Sequence, residues 1–159
     1  MSSSESELSG YPFTAFRFSI ELTVDGGAPF CNASFAECDG LEMNQEVKTI
    51  REGGNNGVQV RLAGATTYGT MTLKRGLTAS FDLWDWFEQS ISDTSVRADA
   101  AVVLLAPDST ERVRWVLHGC LPMKLKAPPL NAKDGMVAVE ELQVAYQSLK
   151  LQSPGGGGA

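Results

Sequence analysis

The sequence is short of the residue types that most catalytic and metal sites require. It has one histidine, His118, and three cysteines, Cys31, Cys38 and Cys120, among 159 residues. No Cys-x-x-Cys pair occurs, whereas a structural zinc site usually gathers four ligands at short spacings. We therefore expect free, mostly buried thiols, no metal and no other cofactor.

The motifs of common enzyme classes are also missing. Neither a G-x-S-x-G nucleophile motif nor a Cys/His protease signature occurs, and a lone His118 in an alternating stretch has no evident partner for acid–base work. Glu140 and Glu141 would lie on opposite faces of a strand. Gly53-Gly54 and Gly155–Gly158 lack the Lys-Ser/Thr of a phosphate loop. These absences argue against an enzyme.

Long hydrophobic runs and an excess of basic charge are absent as well. The longest purely apolar run is Ala100–Ala106, far short of the ~20 residues that a membrane-spanning helix needs. The net charge of −6 disfavours specific nucleic-acid binding. The first ten residues lack the basic and apolar regions of a secretory signal, so we expect synthesis in the cytoplasm without a signal peptide.

The length and composition suit one globular domain. Residues 1–10 are rich in serine and glutamate and are predicted to be disordered, and residues 153–159 are predicted to form a flexible glycine-rich tail. One continuous domain is predicted over residues 11–152.

Within this domain the dominant hydrophobic period is two, which indicates half-buried strands. The pattern predicts strands over 16–24, 31–36, 41–47, 58–62, 70–74, 102–105 and 112–118, and a long final strand over Val137–Leu149. The fold class is therefore mainly β.

One segment, residues 80–91, has a helical period instead. Trp84, Phe87 and Ile91 form an apolar stripe, widened by Phe81, Leu83 or Trp86. Ser80 or Thr78 is expected to cap the helix start. The opposite face carries the acids Asp82, Asp85 and Glu88 and no basic residue.

Residues 51–57 contain three glycines and two asparagines and predict a long, permissive loop. On composition alone a mobile surface loop is favoured over a loop that orders against a partner.

Charge is unevenly distributed along the chain. Residues 1–47 hold eight acidic residues and one basic residue, whereas residues 112–133 hold five basic residues and no acid. Opposite patches on one small domain would suit head-to-tail self-association, but from charge alone ordinary solvated faces are slightly favoured.

Several segments together resemble the tail tube protein family of contractile phage tails and extracellular contractile injection systems. They lie in family order over roughly residues 11–150: Tyr11-Pro12-Phe13-x-x-Phe16-x-Phe18, Phe35-x-Glu37-Cys38-Asp39-Gly40-Leu41-Glu42, Arg51-Glu52-Gly53-Gly54-Asn55, Leu73-Lys74-Arg75-Gly76-Leu77-Thr78 with Leu83-Trp84-x-Trp86, Trp115 to Pro122, and Val137-Ala138-Val139-Glu140-Glu141-Leu142. The cysteines and the glycine tail depart from the pattern.

The resemblance implies a small antiparallel β-barrel or sandwich with one packed α-helix. Subunits of this family form hexameric rings with a joined inner β-barrel, and the rings stack into a hollow tube inside a contractile sheath. The implied partners are other copies of the chain, the sheath, baseplate or hub proteins and cargo in the lumen. The product would be a component of a virion or an injection particle.

The resemblance also implies roles for particular residues. The inter-subunit loop would comprise Arg51, Glu52, Gly53, Gly54, Asn55, Asn56 and Gly57. Asp82, Asp85 and Glu88 would face the sheath or a neighbouring subunit, with Trp84, Phe87 and Trp115 in the core. Glu21, Glu42 and Glu46 would face the lumen and make it acidic.

Two other functions stay open. One is a tube-initiating or baseplate-proximal paralogue that forms a single ring. The other is a monomeric β-rich binding module, for which the acidic patch would be the interaction surface.

Overall fold

The computed structural model describes residues 17–24, 26–51, 53–54, 57–133, 135 and 137–153. The predicted disordered segment 1–10 and all of the predicted tail except Ser153 lie outside the described residues. In the described part of the chain the elements are β1 (Arg17–Val24), β2 (Cys31–Ser34), β3 (Glu37–Asp39), β4 (Met43–Arg51), β5 (Gln59–Tyr68), β6 (Thr70–Gly76), α1 (Asp82–Ser92), β7 (Ala98–Leu105), β8 (Glu111–Lys126), β9 (Val139–Ala145) and β10 (Ser148–Gln152).

The strands form because apolar and polar residues alternate along them. In β1, Ile20 and Leu22 are fully buried, while Glu21 between them stays partly exposed. In β6, Met71 and Leu73 are likewise fully buried, while Thr72 between them is partly exposed. This confirms the prediction of a mainly β fold, although most strand ends differ from those predicted.

All strand pairings are antiparallel. The main sheet has the order β2-β1-β7-β8-β9-β6-β3, with β10 pairing with β8 beside this path. In the described part of the chain, β4 and β5 pair only with each other. The β8 strand is sixteen residues long. Its first part pairs with β7 and β10, and its last part pairs with β9. One strand therefore joins the two halves of the sheet.

A β-bulge lies between these two parts of β8. His118 and Gly119 stand opposite the single residue Asp99 of β7, and the register shifts there. Gly119 has φ +65°, and a Cβ at this position would lie 2.4 Å from Oε1 of Gln147. Bulges of this kind bend a strand and increase its twist, so the glycine permits the turn from one half of the sheet to the other.

The predicted single strand Val137–Leu149 is wrong in one respect, because it is divided at Tyr146 and Gln147. The two pieces keep one register across the break, since Ala145 faces Leu121 and Ser148 faces His118, and the register shifts only further along, between Pro122 and Lys124. The Gln147 N–H donates to the His118 carbonyl at 2.9 Å. The interruption thus lies opposite the bulge.

The helix is present where predicted, but its buried face is centred one residue away from the predicted stripe, on the predicted flanking residues Leu83 and Trp86. Leu83, Trp86 and Ser90 are buried, whereas Ile91 is 68% exposed and Phe81 is 61% exposed. Trp84 and Phe87 are half-buried, and Trp115 packs against the core. The predicted cap is also wrong: Phe81 occupies the N-cap position without a side-chain hydrogen bond. Asp82 Oδ1 instead accepts from the Leu83 N–H at 2.8 Å.

The core lies between the two halves of the sheet and under the helix. Its fully buried members include Ile20, Leu22, Met71, Leu73, Leu83, Trp86, Leu117, Cys120, Leu142 and Val144. Within the described residues no residue of β4 or β5 belongs to this core, apart from the partly buried Tyr68 that packs against it.

Candidate assembly surfaces

The β4 and β5 strands, with residues 52–58 between them, form a hairpin that we call the arm. Its strands run from Met43↔Tyr68 at the base to Arg51↔Gln59 near the tip. Every residue of β4 is exposed. The predicted strand 41–47 is therefore not half-buried as its alternation suggested. An isolated two-stranded hairpin is marginally stable in water, so the arm is suited to contact another molecule.

The arm continues a ribbon that begins in the main sheet. Glu37 pairs with Lys74 in the body, Met43 pairs with Tyr68 in the arm, and the same number of residues separates the two pairs on both strands. Residues 40–42 and Gly69 interrupt the ladder. We call this interruption the joint.

Gly40 is required at the joint for two reasons. Its φ is +91°, a conformation that L-residues with side chains rarely adopt. A Cβ there would lie 1.9 Å from the Thr70 carbonyl oxygen. The Gly40 N–H also donates to Asp39 Oδ1 at 2.7 Å. The Asp39-Gly40-Leu41-Glu42 motif thus builds the base of the arm.

A tyrosine from the far end of the chain holds this joint. The Tyr146 hydroxyl donates to the Gly40 carbonyl at 2.7 Å and accepts from the Glu42 N–H at 3.0 Å. Its ring lies 5.8 Å from the Tyr68 ring, measured between centroids. Tyr146 therefore fastens both strands of the ribbon to the body where the arm leaves it.

The arm carries an unusual number of exposed apolar side chains. They are Met43 (63% exposed), Val47 (56%), Ile50 (48%), Val58 (48%) and Leu62 (45%). Among the described residues, no further strand pairs with either of its edges. Exposed edges and contiguous apolar residues are features that natural proteins usually cover by association.

The predicted inter-subunit loop lies at the tip of this arm. Arg51, Gly53, Gly54 and Gly57 are exposed, and Gly54 has φ +98°. Three further residues of the predicted loop, Glu52, Asn55 and Asn56, lie outside the described residues. The described residues of the Arg51–Gly57 segment therefore lie at the end of a hairpin whose base lies at Met43 and Tyr68.

A buried ionic network, which the sequence analysis missed, fixes the helix on the sheet. Arg75 of β6 donates from Nε to Glu140 Oε1 of β9 at 2.6 Å, and its guanidinium also pairs with Asp82 of α1. The Trp84 Nε1–H donates to Glu140 Oε2 at 3.1 Å. Only 5% of the Arg75 side chain and 1% of the Glu140 side chain are exposed.

The charges of this network stabilise one another. Burial disfavours the charged form of Arg75, but hydrogen bonds with Asp82 and Glu140 outweigh it and raise the pKa of the guanidinium. Burial likewise opposes ionisation of Asp82, yet the Arg75 hydrogen bond holds the pKa of this carboxyl below its usual value. Burial, and then the charge of Asp82, raises the pKa of the nearby Cys31 thiol to about 12.

The three helix acids predicted to face outward differ in their surroundings. Asp82 points towards Arg75, with 15% of its side chain exposed. Asp85 and Glu88 are exposed. The exposed side of α1 therefore presents two carboxylates together with the apolar side chains of Phe81 and Ile91.

The three acids predicted to line a lumen lie in different elements. Glu21 is in β1 and pairs with Arg114 of β8 at 3.2 Å. Glu42 is at the joint and Glu46 is in β4, both exposed. The Glu21 charge is offset by its partner, whereas Glu42 and Glu46 are exposed at the joint and in the arm.

The remaining residues with reactive side chains are the three cysteines and His118. All three cysteines are free, and Cys31 and Cys120 are buried, as predicted. His118 Nδ1 lies 3.1 Å from Asp99 Oδ1 in a half-exposed pair. No group of three or more metal-ligating side chains was found in the described part of the chain. The helix that the structure describes is not long and apolar enough to cross a membrane.

The fold and its surfaces define a class of structural, mainly β proteins with a projecting hairpin and unpaired edges. The chain belongs to the T4-like virus tail tube protein gp19 family, whose model matches residues 14–150. This confirms the resemblance found in the sequence. A search of curated protein sequences finds no match.

Solved structures share the fold over nearly the whole chain. A chain of the anti-feeding prophage baseplate is 25% identical, with a TM-score of 0.78 over 91% of this chain and 97% of that one. A chain of the sheath-tube complex of the extracellular contractile injection system PVC is 22% identical, with a TM-score of 0.78 over 94% and 97%. Hcp1 from Flavobacterium johnsoniae is 16% identical, with a TM-score of 0.50 over 90% and 97%.

Proposed function

We propose that this protein is the inner tube subunit of a contractile, phage-tail-like particle. In this proposal subunits close into hexameric rings whose sheets join into one inner barrel, and rings stack into a hollow tube. Membership of the tail tube family supports the structural role. The likeness to chains from the anti-feeding prophage baseplate and the PVC sheath-tube complex supports assembly with baseplate and sheath partners.

The observation that carries the proposal furthest is the arm. All nine residues of β4 are exposed, so packing against the rest of the subunit contributes little to the stability of this strand. The base of the arm is nevertheless held in place by the hydrogen bond from Tyr146 to Gly40. Such an element is explained by a neighbouring copy that covers it. The tip residues Arg51, Glu52, Gly53, Gly54, Asn55, Asn56 and Gly57 would then contact that copy.

The exposed helix face is the surface we assign to the sheath. Asp85 and Glu88 offer negative charge, and Phe81 and Ile91 offer apolar area. A sheath surface with basic and apolar residues would complement both. Asp82 belongs to this surface only at its margin because Arg75 holds its carboxylate.

No catalysis is required by this function. The tube acts by being rigid and hollow, so that contraction of the sheath drives it into a target and cargo is held or conducted in its lumen. Glu21, Glu42 and Glu46 remain the acids that we propose to line the lumen, with the Glu21 charge reduced by Arg114.

Electron microscopy of the purified protein, with light-scattering mass beside it, tests the proposal. We expect hexameric rings or hollow tubes. A variant in which residues 43–68 are replaced by a two-glycine turn should keep the β3–β6 pairing and remain folded but form no tubes. Single rings without stacking would instead favour a tube-initiating paralogue. A monomer at every concentration, also with baseplate components added, would favour a binding module.

A further inference from the structure

A second exposed apolar surface lies far from the arm. Eight residues, which together we call the end groove, surround a groove of about 610 Å³: Pro128, Pro129, Leu130, Asn131, Ala132, Val137, Ala138 and Val139. Leu130 is 87% exposed and Val137 is 82% exposed. The volume falls within the range of ~300–1,000 Å³ in which protein pockets hold apolar groups.

The end groove and the arm lie at opposite ends of the same strand. β6 leaves the joint at Thr70, which pairs with Ala145, and ends at Gly76, which pairs with Val139 of the groove. Leu77 then donates its N–H to the Ala138 carbonyl at 2.8 Å. At ~3.3 Å per residue, β6 separates the joint from the groove by about 20 Å.

The arm presents an apolar row on one face, beside Lys48, which pairs with Leu62. Ile50 pairs directly with Val60, and Leu62 lies two residues from Val60 on the same strand, so the three side chains share a face. None of them belongs to the core of its own subunit among the described residues. The row therefore has apolar surface to bury and no partner within the chain that the structure describes.

We propose that the end groove receives the Ile50–Val60–Leu62 face of the arm from a second copy of this chain. The occupant is a second copy because both surfaces occur on one chain, at opposite ends of one ribbon. A contact between two different surfaces of identical subunits is heterologous and repeats without limit unless it closes into a ring. This inference rests on the proposed function and names the two surfaces through which copies stack.

Cysteine cross-linking tests the contact. In the L62C/L130C variant, each copy carries one thiol on the arm and one at the groove, and both positions are exposed. With a short bifunctional thiol reagent we expect a ladder of covalent multimers. A mixture of the two single variants should stop at dimers. L62C/I91C is the matched control, with the second thiol on the helix surface, and should give no ladder.

A second variant separates stacking from ring formation. L130D/V137D places charges in the groove at largely exposed positions, and we expect rings with at least a tenfold fall in tubes. I91D is the control and should stack normally. Tubes that form without an L62C/L130C ladder would overturn the inference and leave the proposed function standing. If the wild-type protein forms neither rings nor tubes, the proposed function is overturned and the inference with it.

Discussion

The Tyr146 hydroxyl donates a hydrogen bond of 2.7 Å to the carbonyl of Gly40, a residue 106 positions earlier in the chain. The same oxygen accepts the Glu42 N–H. One side chain thereby satisfies two backbone groups at the place where the ladder of the ribbon is interrupted. The joint therefore holds the base of the arm, and a register shift between Gln45 and Val47 follows within the arm itself.

Tyr146→Phe should loosen the arm without unfolding the body. The ring remains, but two hydrogen bonds are lost, each worth about 1 kcal/mol. We expect faster amide exchange in Met43–Arg51 and fewer tubes by electron microscopy. Tyr68→Phe is the matched control, because the Tyr68 ring contact does not use its hydroxyl. Equal exchange in the two variants would show that Tyr146 does not position the arm.

Gly40→Ala should destabilise the protein by about 3 kcal/mol or more. The methyl group would meet the Thr70 carbonyl oxygen at 1.9 Å in a strained backbone conformation. Urea unfolding measures the change. Gly53→Ala is the comparison, since a Cβ there meets nothing within 4 Å, and its effect should stay within ~0.5 kcal/mol. If Gly40→Ala and Gly53→Ala had similar free energies of unfolding, the steric requirement for glycine at position 40 would be contradicted.

The Arg75–Asp82 pair should make stability fall at low pH. The pKa of Asp82 is lowered in the folded protein, so the folded state binds its proton more weakly than the unfolded chain. Its contribution is present above the ordinary value of 3.8 and is lost as the pH falls towards the lowered folded pKa.

Urea unfolding between neutral pH and the acid limit of the folded state checks this dependence. Asp82→Asn should flatten the acid part of the profile and lower stability at neutral pH. Asp85→Asn, at an exposed position of the same helix, should leave the profile unchanged. An identical acid slope in wild type and Asp82→Asn would contradict the assignment.

Glu140→Gln should cost about 3 kcal/mol of unfolding free energy, the lower end of the range for breaking a buried ion pair. The reason is that Arg75 loses the charge of one of its two carboxylate partners in a site with 1% exposure at Glu140. Glu141→Gln changes the next residue, which is only partly buried, and should have little effect. Denaturant titration of both variants compares them directly.

The thiols should be inert in the folded protein. Burial raises the pKa values of Cys31, Cys38 and Cys120 to about 12, and the thiolate is the reactive form. A colorimetric thiol reagent at neutral pH should label none of them within minutes and all three in urea. Rapid labelling of the native protein would contradict the described burial.

The sequence predicts features that rest on local period, such as β1 and the position of the helix, because alternation and the 3.6-residue repeat are visible along a single segment. It does not settle which helix face is buried. The predicted stripe consists of Trp84, Phe87 and Ile91. The buried residues Leu83, Trp86 and Ser90 have the same spacing but are offset by one position along the chain. The observed choice turns Asp82 towards Arg75, a contact that no local pattern reveals.

Non-local pairings account for the other differences. Glu140 occupies a core-facing position in the series Glu140, Leu142 and Val144, which is a usable signal of a buried partner. That partner is Arg75, 65 residues away. The sequence predicts only the loop of the arm as a contact element, because alternation in 41–47 indicates a half-buried strand, whereas every residue of β4 is exposed.

The equal spacing across the joint has a practical consequence for altering the protein. Residues 40–42 on one strand face residues 69–71 on the other, so the body and the base of the arm share one register up to the shift between Gln45 and Val47. Adding one residue to one strand would turn every outer side chain of that strand to the other face. Adding two residues to each strand would lengthen the reach by about 7 Å and keep each face intact. The arm can therefore be treated as a spacer whose length is adjustable in steps.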